Sequence, residues 1–243
     1  MFVPLHDTNP LEHVVRPYVT WALIGVNLFV FLALQHGGFG EVSEAGVLAY
    51  GTIPAVVTGA AVLPEGYERL PAELTLLTYM FLHAGWLHLI GNMAFLWVFG
   101  DNVEDALGHA RFLAFYLLCG IVAGAVHVFA QPGSEAPLIG ASGAVAGVIA
   151  AYLVLHPHVR LWALVFMKLP LRVPAFWVIG LWIALQVYQV VVAADEETAW
   201  WAHIGGFVAG ALLVVIMRRP GVALFDRDPS GVPTPRGMRE GER

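Results

Sequence analysis

A chain of 243 residues that is 58% hydrophobic, only 12% charged and of mean hydropathy +0.72 lies far from the balance of a soluble domain. It reads as an integral membrane protein with no nucleic-acid partner, and the net charge of −6 says little because placement matters more than sum. The single cysteine, Cys119, falls in an apolar run, which excludes a disulfide framework and a cysteine-paired metal site.

Residues 1–17 form a mixed segment with one arginine, Arg16, and are taken as an N-terminal cytoplasmic piece. The first apolar run, 18–36, has no small-residue cleavage site after it, so it is kept as a helix rather than a removable signal. Residues 37–85 follow as a long outer loop whose apolar stretches at 46–63 and 74–82 are expected in the membrane interface or against the bundle. Further runs lie at 86–106, 110–130, 174–193 and 200–217, with a shorter one near 141–155. A hydrocarbon core of about 30 Å and the need to satisfy every backbone group internally make these helices, with nothing resembling the alternation of a barrel.

The expected architecture is an all-α membrane protein, a bundle of six transmembrane helices over 18–217. The polar stretch "GDNVEDALGHAR" is read as a short loop, and 218–243, rich in Pro, Gly and charge, as a disordered cytoplasmic tail. Six helices with the N-terminus inside place every Lys and Arg except Arg69 on the cytoplasmic side. Both termini are therefore expected in the cytoplasm.

The fourth helix is anomalous. From Ser142 to Leu155 it has fourteen residues, about 21 Å of helix, which cannot cross the core alone. Its inner end is fixed by the polar "HPHVR", so its outer end must stop below the surface, with "QPGSEAPLIG" dipping in to meet it. Irregular backbone at that depth is tolerated where it is buried in protein or lines a watery cavity. Ser142 therefore starts a recessed helix beside water.

Of the serines at 43, 134, 142 and 230, only Ser142 falls within a membrane helix. His203, in "WWAHIGGFVAG", lies about one turn below the outer surface. His88 and Asn92, at i and i+4 in "HLIGN", share one face near the outer end of the second helix. A serine hydroxyl needs an adjacent base, and His203 is the candidate. A developing oxyanion needs donors; the backbone N–H groups opening the fourth helix, His88 and Asn92 are the candidates. No carboxylate sits within a membrane helix near His203, since Asp195, Glu196 and Glu197 precede that helix, so a Ser-His dyad is favoured over a triad.

The competing reading is packing. Gly140, Gly143 and Gly147 around Ser142, and Gly206 and Gly210 spaced GxxxG, are what close helix contact requires. Packing of the sixth helix on the fourth would itself bring His203 to Ser142. His127 and His156 read as core histidines.

The segments "FLHAGWLHLIGN", "GASGAVAG" and "AHIGGFVAG" resemble, in order and spacing, the rhomboid intramembrane serine proteases over roughly 75–217. The resemblance implies Ser142 as nucleophile, His203 as general base, and His88, Asn92 and the Ser142 N–H as oxyanion donors. It implies that Gly140 and Ala141 form the substrate-facing turn, that Gly206 and Gly210 pack helices, that His83 is structural, and that Glu104 is an inner-end hydrogen-bonding glutamate. It also implies a cofactor-free, metal-free enzyme in a prokaryotic cell membrane. Its partners would be the lipid bilayer and single-pass transmembrane substrates that enter beside the fifth helix and unwind near the outer face. A proteolytically inactive relative that binds membrane proteins is the alternative; it would be expected to lose Ser142 or His203. Two departures stand out: the first loop lacks the family's Trp of a Trp-Arg pair, and position 146 is Ala where some members stack an aromatic ring on the histidine.

Overall fold

The computed structural model describes residues 2–38, 40–165, 168–192 and 199–226. Nine helices carry it among those residues: α1 (Tyr18–Phe29, running on as a π turn Val30–Leu34), α2 (Gly40–Tyr50), α3 (Pro54–Val57), α4 (Thr75–Thr78), α5 (Trp86–Leu107), α6 (His109–Ala130), α7 (Ser142–Leu155), α8 (Ala175–Val192) and α9 (Trp200–Met217). Three of them, α6, α8 and α9, are long and apolar enough to cross a membrane unaided. A fourth span arises if α5 is joined to Ala72–Phe81, from which it is bent by 81°. Tyr18–Leu34 and α7 are shorter apolar helices.

The distribution of apolar side chains is that of a chain whose solvent is lipid. Leu87, Phe129, Leu181, Val191, Leu212 and Ile216 all stand exposed on helix exteriors, where water would penalise them by about 1.5–3 kcal/mol each and a bilayer would not. At the centre is α7: all its residues except Ser142, Leu153 and Val154 are buried. It is rich in Gly and Ala, so neighbouring backbones can close on it from all sides.

The first loop packs inward rather than lying free. Ala49, Ile53, Ala55, Tyr79 and Met80 are buried, and the Tyr79 hydroxyl donates to the Gly120 carbonyl of α6 at 2.7 Å. The missing Trp is answered by another anchor. Gln35, at the end of the first helix, exchanges two hydrogen bonds with the backbone of His83, Nε2 to the carbonyl at 3.0 Å and Oε1 from the N–H at 2.9 Å. His83 itself is buried, its ring 5.1 Å from that of His88 and near perpendicular to it.

The expectation of an all-α chain fails beside the N-terminal segment. Strands β1 (Phe2–His6), β2 (Arg160–Val165) and β3 (Leu169–Pro174) form an antiparallel sheet in the order β1-β2-β3. The signal is a period of two: Leu161 and Ala163 are buried while Arg160 and Trp162 point outward. β3 carries Pro170 and Pro174 at an edge, where a missing N–H costs no ladder bond.

Residues 1–17 therefore carry structure beyond their mixed composition. Asp105 accepts from the N–H groups of Glu12, His13 and Val14 at 3.1, 2.7 and 2.6 Å and from His13 Nδ1 at 3.0 Å. Asp7 is buried against Tyr152, whose hydroxyl donates to it at 2.6 Å. Burial lifts the Asp7 carboxyl above its ordinary 3.8, with the Tyr152 bond opposing.

The stretch read as a polar loop between the second and third helices is helical except for Gly108. Glu104 is fully buried and staples the bundle: its carboxylate accepts from Val19 N–H at 2.9 Å, Thr20 N–H at 2.7 Å, the Thr20 hydroxyl at 2.7 Å and His109 Nδ1 at 2.5 Å. The first two are unpaired donors at the N-terminus of α1, so Glu104 caps that helix from another element. The beginning of the tail is likewise ordered. Arg219 N–H donates to Ala106, Phe225 N–H to Val154 and Asp226 N–H to Leu155, at 2.9, 2.8 and 3.0 Å. The rest of the tail, from 227, and the acidic loop at 195–197 lie outside the described residues.

Candidate active site

Two helices decide whether Ser142 and His203 meet. α7 and α9 run parallel in backbone contact, and a Cβ on Gly206 would be driven into the Gly143 carbonyl oxygen. A Cβ on Gly210 would enter the backbone of Gly147 in the same way. The two GxxxG steps, 143–147 and 206–210, thus face each other turn for turn. That register carries His203, one turn before Gly206, to the first residue of α7. His203 Nε2 lies 2.9 Å from Ser142 Oγ. Glycine packing and the Ser-His contact are one arrangement.

A second interaction was not anticipated from sequence. His203 Nδ1 lies 2.7 Å from Gln186 Oε1, a buried side chain of α8. The amide's orientation is set by the Trp182 carbonyl, which accepts from Gln186 Nε2 at 3.4 Å and cannot donate, so Oε1 faces the ring. The ring proton is thereby assigned to Nδ1, leaving Nε2 to accept from the serine hydroxyl. Trp182 lies tilted against the imidazole at 6.0 Å and Trp200 edge-on at 6.1 Å. With Ala at 146, these indoles and Gln186 hold the ring in place of a stacked aromatic. A glutamine six residues before a helix end is ordinary in a sequence; only its buried face, shared with Val178 and Ile179, and its neighbour Trp182 against α9 single it out.

The turn before Ser142 is fixed from the first loop. Thr52 and Leu138 exchange backbone hydrogen bonds at 3.1 and 2.7 Å, Ser134 accepts from Ala55 N–H at 2.9 Å, and Gly140 N–H donates to Tyr79 at 2.9 Å. Gly140 has φ +117°, a backbone region for which glycine is favoured. A Cβ there would also lie 2.6 Å from His88 Nε2. The imidazole and, behind it, the Asn92 amide 3.8 Å from the same point converge on this turn.

Both side chains carry an N–H available for donation. Ala84 N–H donates to His88 Nδ1 at 3.4 Å, which leaves the proton on Nε2, the atom facing Gly140. Asn92 Nδ2 gives one hydrogen to the His88 carbonyl at 3.1 Å and keeps a second. α7 has no side-chain cap, and its ladder begins with Val145 N–H on Ala141, so the N–H groups of Ser142, Gly143 and Ala144 have no acceptor within the helix. Ser142 and His203 are in direct contact, His88 and Asn92 close on Gly140 two residues before Ser142, and Glu104 sits apart, bonded to the N-terminus of α1. A hydroxyl paired with a neutral imidazole acceptor beside a cluster of N–H donors is equipped for acyl transfer.

Comparison with known proteins bears on the same region. The chain is similar to Rhomboid protein 1, mitochondrial, of Saccharomyces cerevisiae, 29% identical over 154 residues that cover 60% of this chain and 42% of the relative. It is similar to RHOMBOID-like protein 5 of Arabidopsis thaliana, 30% identical over 146 residues covering 60% and 44%. It also resembles Presenilin-associated rhomboid-like protein, mitochondrial, of Homo sapiens, 34% identical over 91 residues covering 37% and 24%. The chain thus spans less than half the length of these relatives. The family model of the Rhomboid domain matches residues 71–220, more than half of the chain and every helix of the site, and the chain belongs to the rhomboid family.

Proposed function

We propose that this multi-pass membrane protein is an intramembrane serine endopeptidase working through a Ser142-His203 dyad. The observation that carries the proposal is the 2.9 Å contact between Ser142 Oγ and His203 Nε2 at the uncapped start of α7. His203 Nε2 takes the hydroxyl proton as Oγ attacks the scissile carbonyl carbon. The carbonyl oxygen becomes an oxyanion facing the Ser142 N–H, His88 Nε2–H and the free Asn92 N–H. Collapse breaks the C–N bond, and the imidazolium returns its proton to the leaving amine. Water then attacks the acyl-serine with His203 again as base, giving a carboxylate and free Ser142.

The substrate class is a single-pass transmembrane protein whose helix unwinds at the outer face. It enters beside α8, whose buried residues are few among those described, Ala175, Val178, Ile179 and Gln186. In this reading all six helices traverse or enter the membrane and both termini are cytoplasmic in a prokaryotic cell membrane, the arrangement that the arginine distribution favours. Relatives named as mitochondrial show that the family also has members in organelles.

The test is cleavage of a fluorescent transmembrane peptide by the purified protein in liposomes, with fluorophosphonate labelling in parallel. Cleavage and labelling are expected in the natural protein and loss of both in Ser142→Ala. His203→Ala is expected to lose cleavage. Cleavage persisting in both variants would falsify the dyad. Binding of the peptide without cleavage or labelling in the natural protein would identify the inactive, binding relative instead.

A further inference from the structure

A third helix contributes a polar group to the dyad. Gln186 is the only buried polar side chain of α8 among the described residues, and a lone amide on an otherwise apolar helix in lipid costs free energy unless its bonds are made. Each end of the amide has a partner, Nε2 within α8 at the Trp182 carbonyl and Oε1 across at His203 Nδ1, 2.7 Å away. The second is made to the ring whose other nitrogen meets Ser142.

We propose that Gln186 is a positioning residue, the third member of a Ser142-His203-Gln186 relay in which its Oε1 holds His203 in the Nδ1–H tautomer. The proposal rests on the protease reading. Three helices then each supply one member: α7 the serine, α9 the histidine and α8 the amide. An amide oxygen fixes the ring's rotation and tautomer as a carboxylate does, but it adds no full charge to a membrane interior. It also favours the doubly protonated ring formed during attack, since the Nδ1–H bond strengthens when the imidazole is charged. Gln35, by contrast, holds only the backbone of His83 with the two ends of its amide and leaves that ring without a hydrogen-bond partner.

Gln186→Leu removes the acceptor and shortens the side chain by one atom, whereas Gln186→Glu keeps both length and acceptor. With the full chain in lipid bilayers, 15N-histidine solid-state NMR reports tautomers directly, the His203 signals being identified by their absence in His203→Ala. The expected result is a protonated Nδ1 and bare Nε2 in the natural protein, with the Nε2–H form appearing in Gln186→Leu. Kinetically, Gln186→Leu is expected to lower kcat by about tenfold to hundredfold with KM within about twofold, and Gln186→Glu to restore kcat to within a few-fold. A natural protein already in the Nε2–H form, an unchanged tautomer in Gln186→Leu, or equal losses in both variants would overturn the proposal. The NMR result stands without turnover. A chain that shows the expected tautomers but cleaves nothing would sink the protease reading and leave the placement of Gln186 intact.

Discussion

The two ends of α7 are built from similar residues to opposite effect. At the inner end, Glu104 and Asp105 each accept four hydrogen bonds, and Asp7 and Tyr152 satisfy each other. The buried Asn102 Oδ1 and His156 Nδ1 have no hydrogen-bond partner there, but the bonded carboxylates act as rivets that join the N-terminal segment, α1, α5 and α7. At the outer end the N–H groups of the first turn lack intrahelical acceptors, Asn92 keeps a hydrogen and the serine has one partner. Buried polar groups with complete bonding stabilise, whereas donors left incomplete beside a hydroxyl and an imidazole are available for chemistry.

The contrast can be broken at its hinge. Gly206→Val drives a side chain into the Gly143 carbonyl and must part α9 from α7. Cleavage is expected to fall by about a hundredfold or more, since a displacement on the order of 1 Å at the reacting atoms costs that much; normal turnover would show that the close helix contact does not set the dyad.

At the outer end alone, Asn92→Ala removes a donor and not a rivet. It is expected to lower kcat by about a hundredfold with unfolding in mixed micelles little changed. Loss of stability in step with activity would place Asn92 with the inner-end groups instead.

The inner end gives the converse. Glu104→Ala strands two backbone donors and two side chains and is expected to cost about 3 kcal/mol of stability, read from the unfolding midpoint, while kcat of the folded fraction stays within a few-fold. A selective loss of kcat would mean that the two ends are coupled through α5.

Smaller effects follow from titration at the inner face. Burial lowers the His156 ring to about 4 from its ordinary 6.5. Between those values the unfolded ring binds a proton that the folded one refuses, so unfolding takes up protons and stability falls as pH drops from 6.5 towards 4. His156→Gln should flatten that window in a pH series of unfolding midpoints. Asp7 works in the other direction. Its raised value means that the stability of the protonated form is complete below 3.8 and is lost as pH rises through the folded value. Asp7→Asn, which still accepts from Tyr152, should raise the midpoint at neutral pH and leave it unchanged in acid.

Much of the site was legible in the sequence because helices in lipid are nearly continuous apolar runs, with polar exceptions that must be accounted for. The ends of α7 and α9 match the sequence reading to the residue and the start of α8 within one, whereas the junction of α5 and α6, where 100–111 reads as a polar loop, is helical except at Gly108 because Glu104 and Asp105 are held by hydrogen bonds rather than by water. Ser142, His203, His88 and Asn92 stood out as polar groups at one depth. The sheet was missed because "RLWALV" and "LPLRVP" carry an alternation too short to compete with the neighbouring apolar runs. The ordered tail at 220–226 was missed because composition reports flexibility and not the open carbonyls of Val154 and Leu155 that bind it.

By itself, then, the sequence determined a helical membrane chain, a fourth helix too short to span, and the residue types gathered at its outer end, because hydrophobic length and local pattern are properties of single segments. Which nitrogen of His203 faces Ser142, that Gln186 faces the other, and that Glu104 caps a helix more than eighty residues away were decided only by tertiary structure. Each depends on the rotation of one helix against another, and that is fixed by glycine contacts and buried hydrogen bonds between segments that carry no local trace of one another.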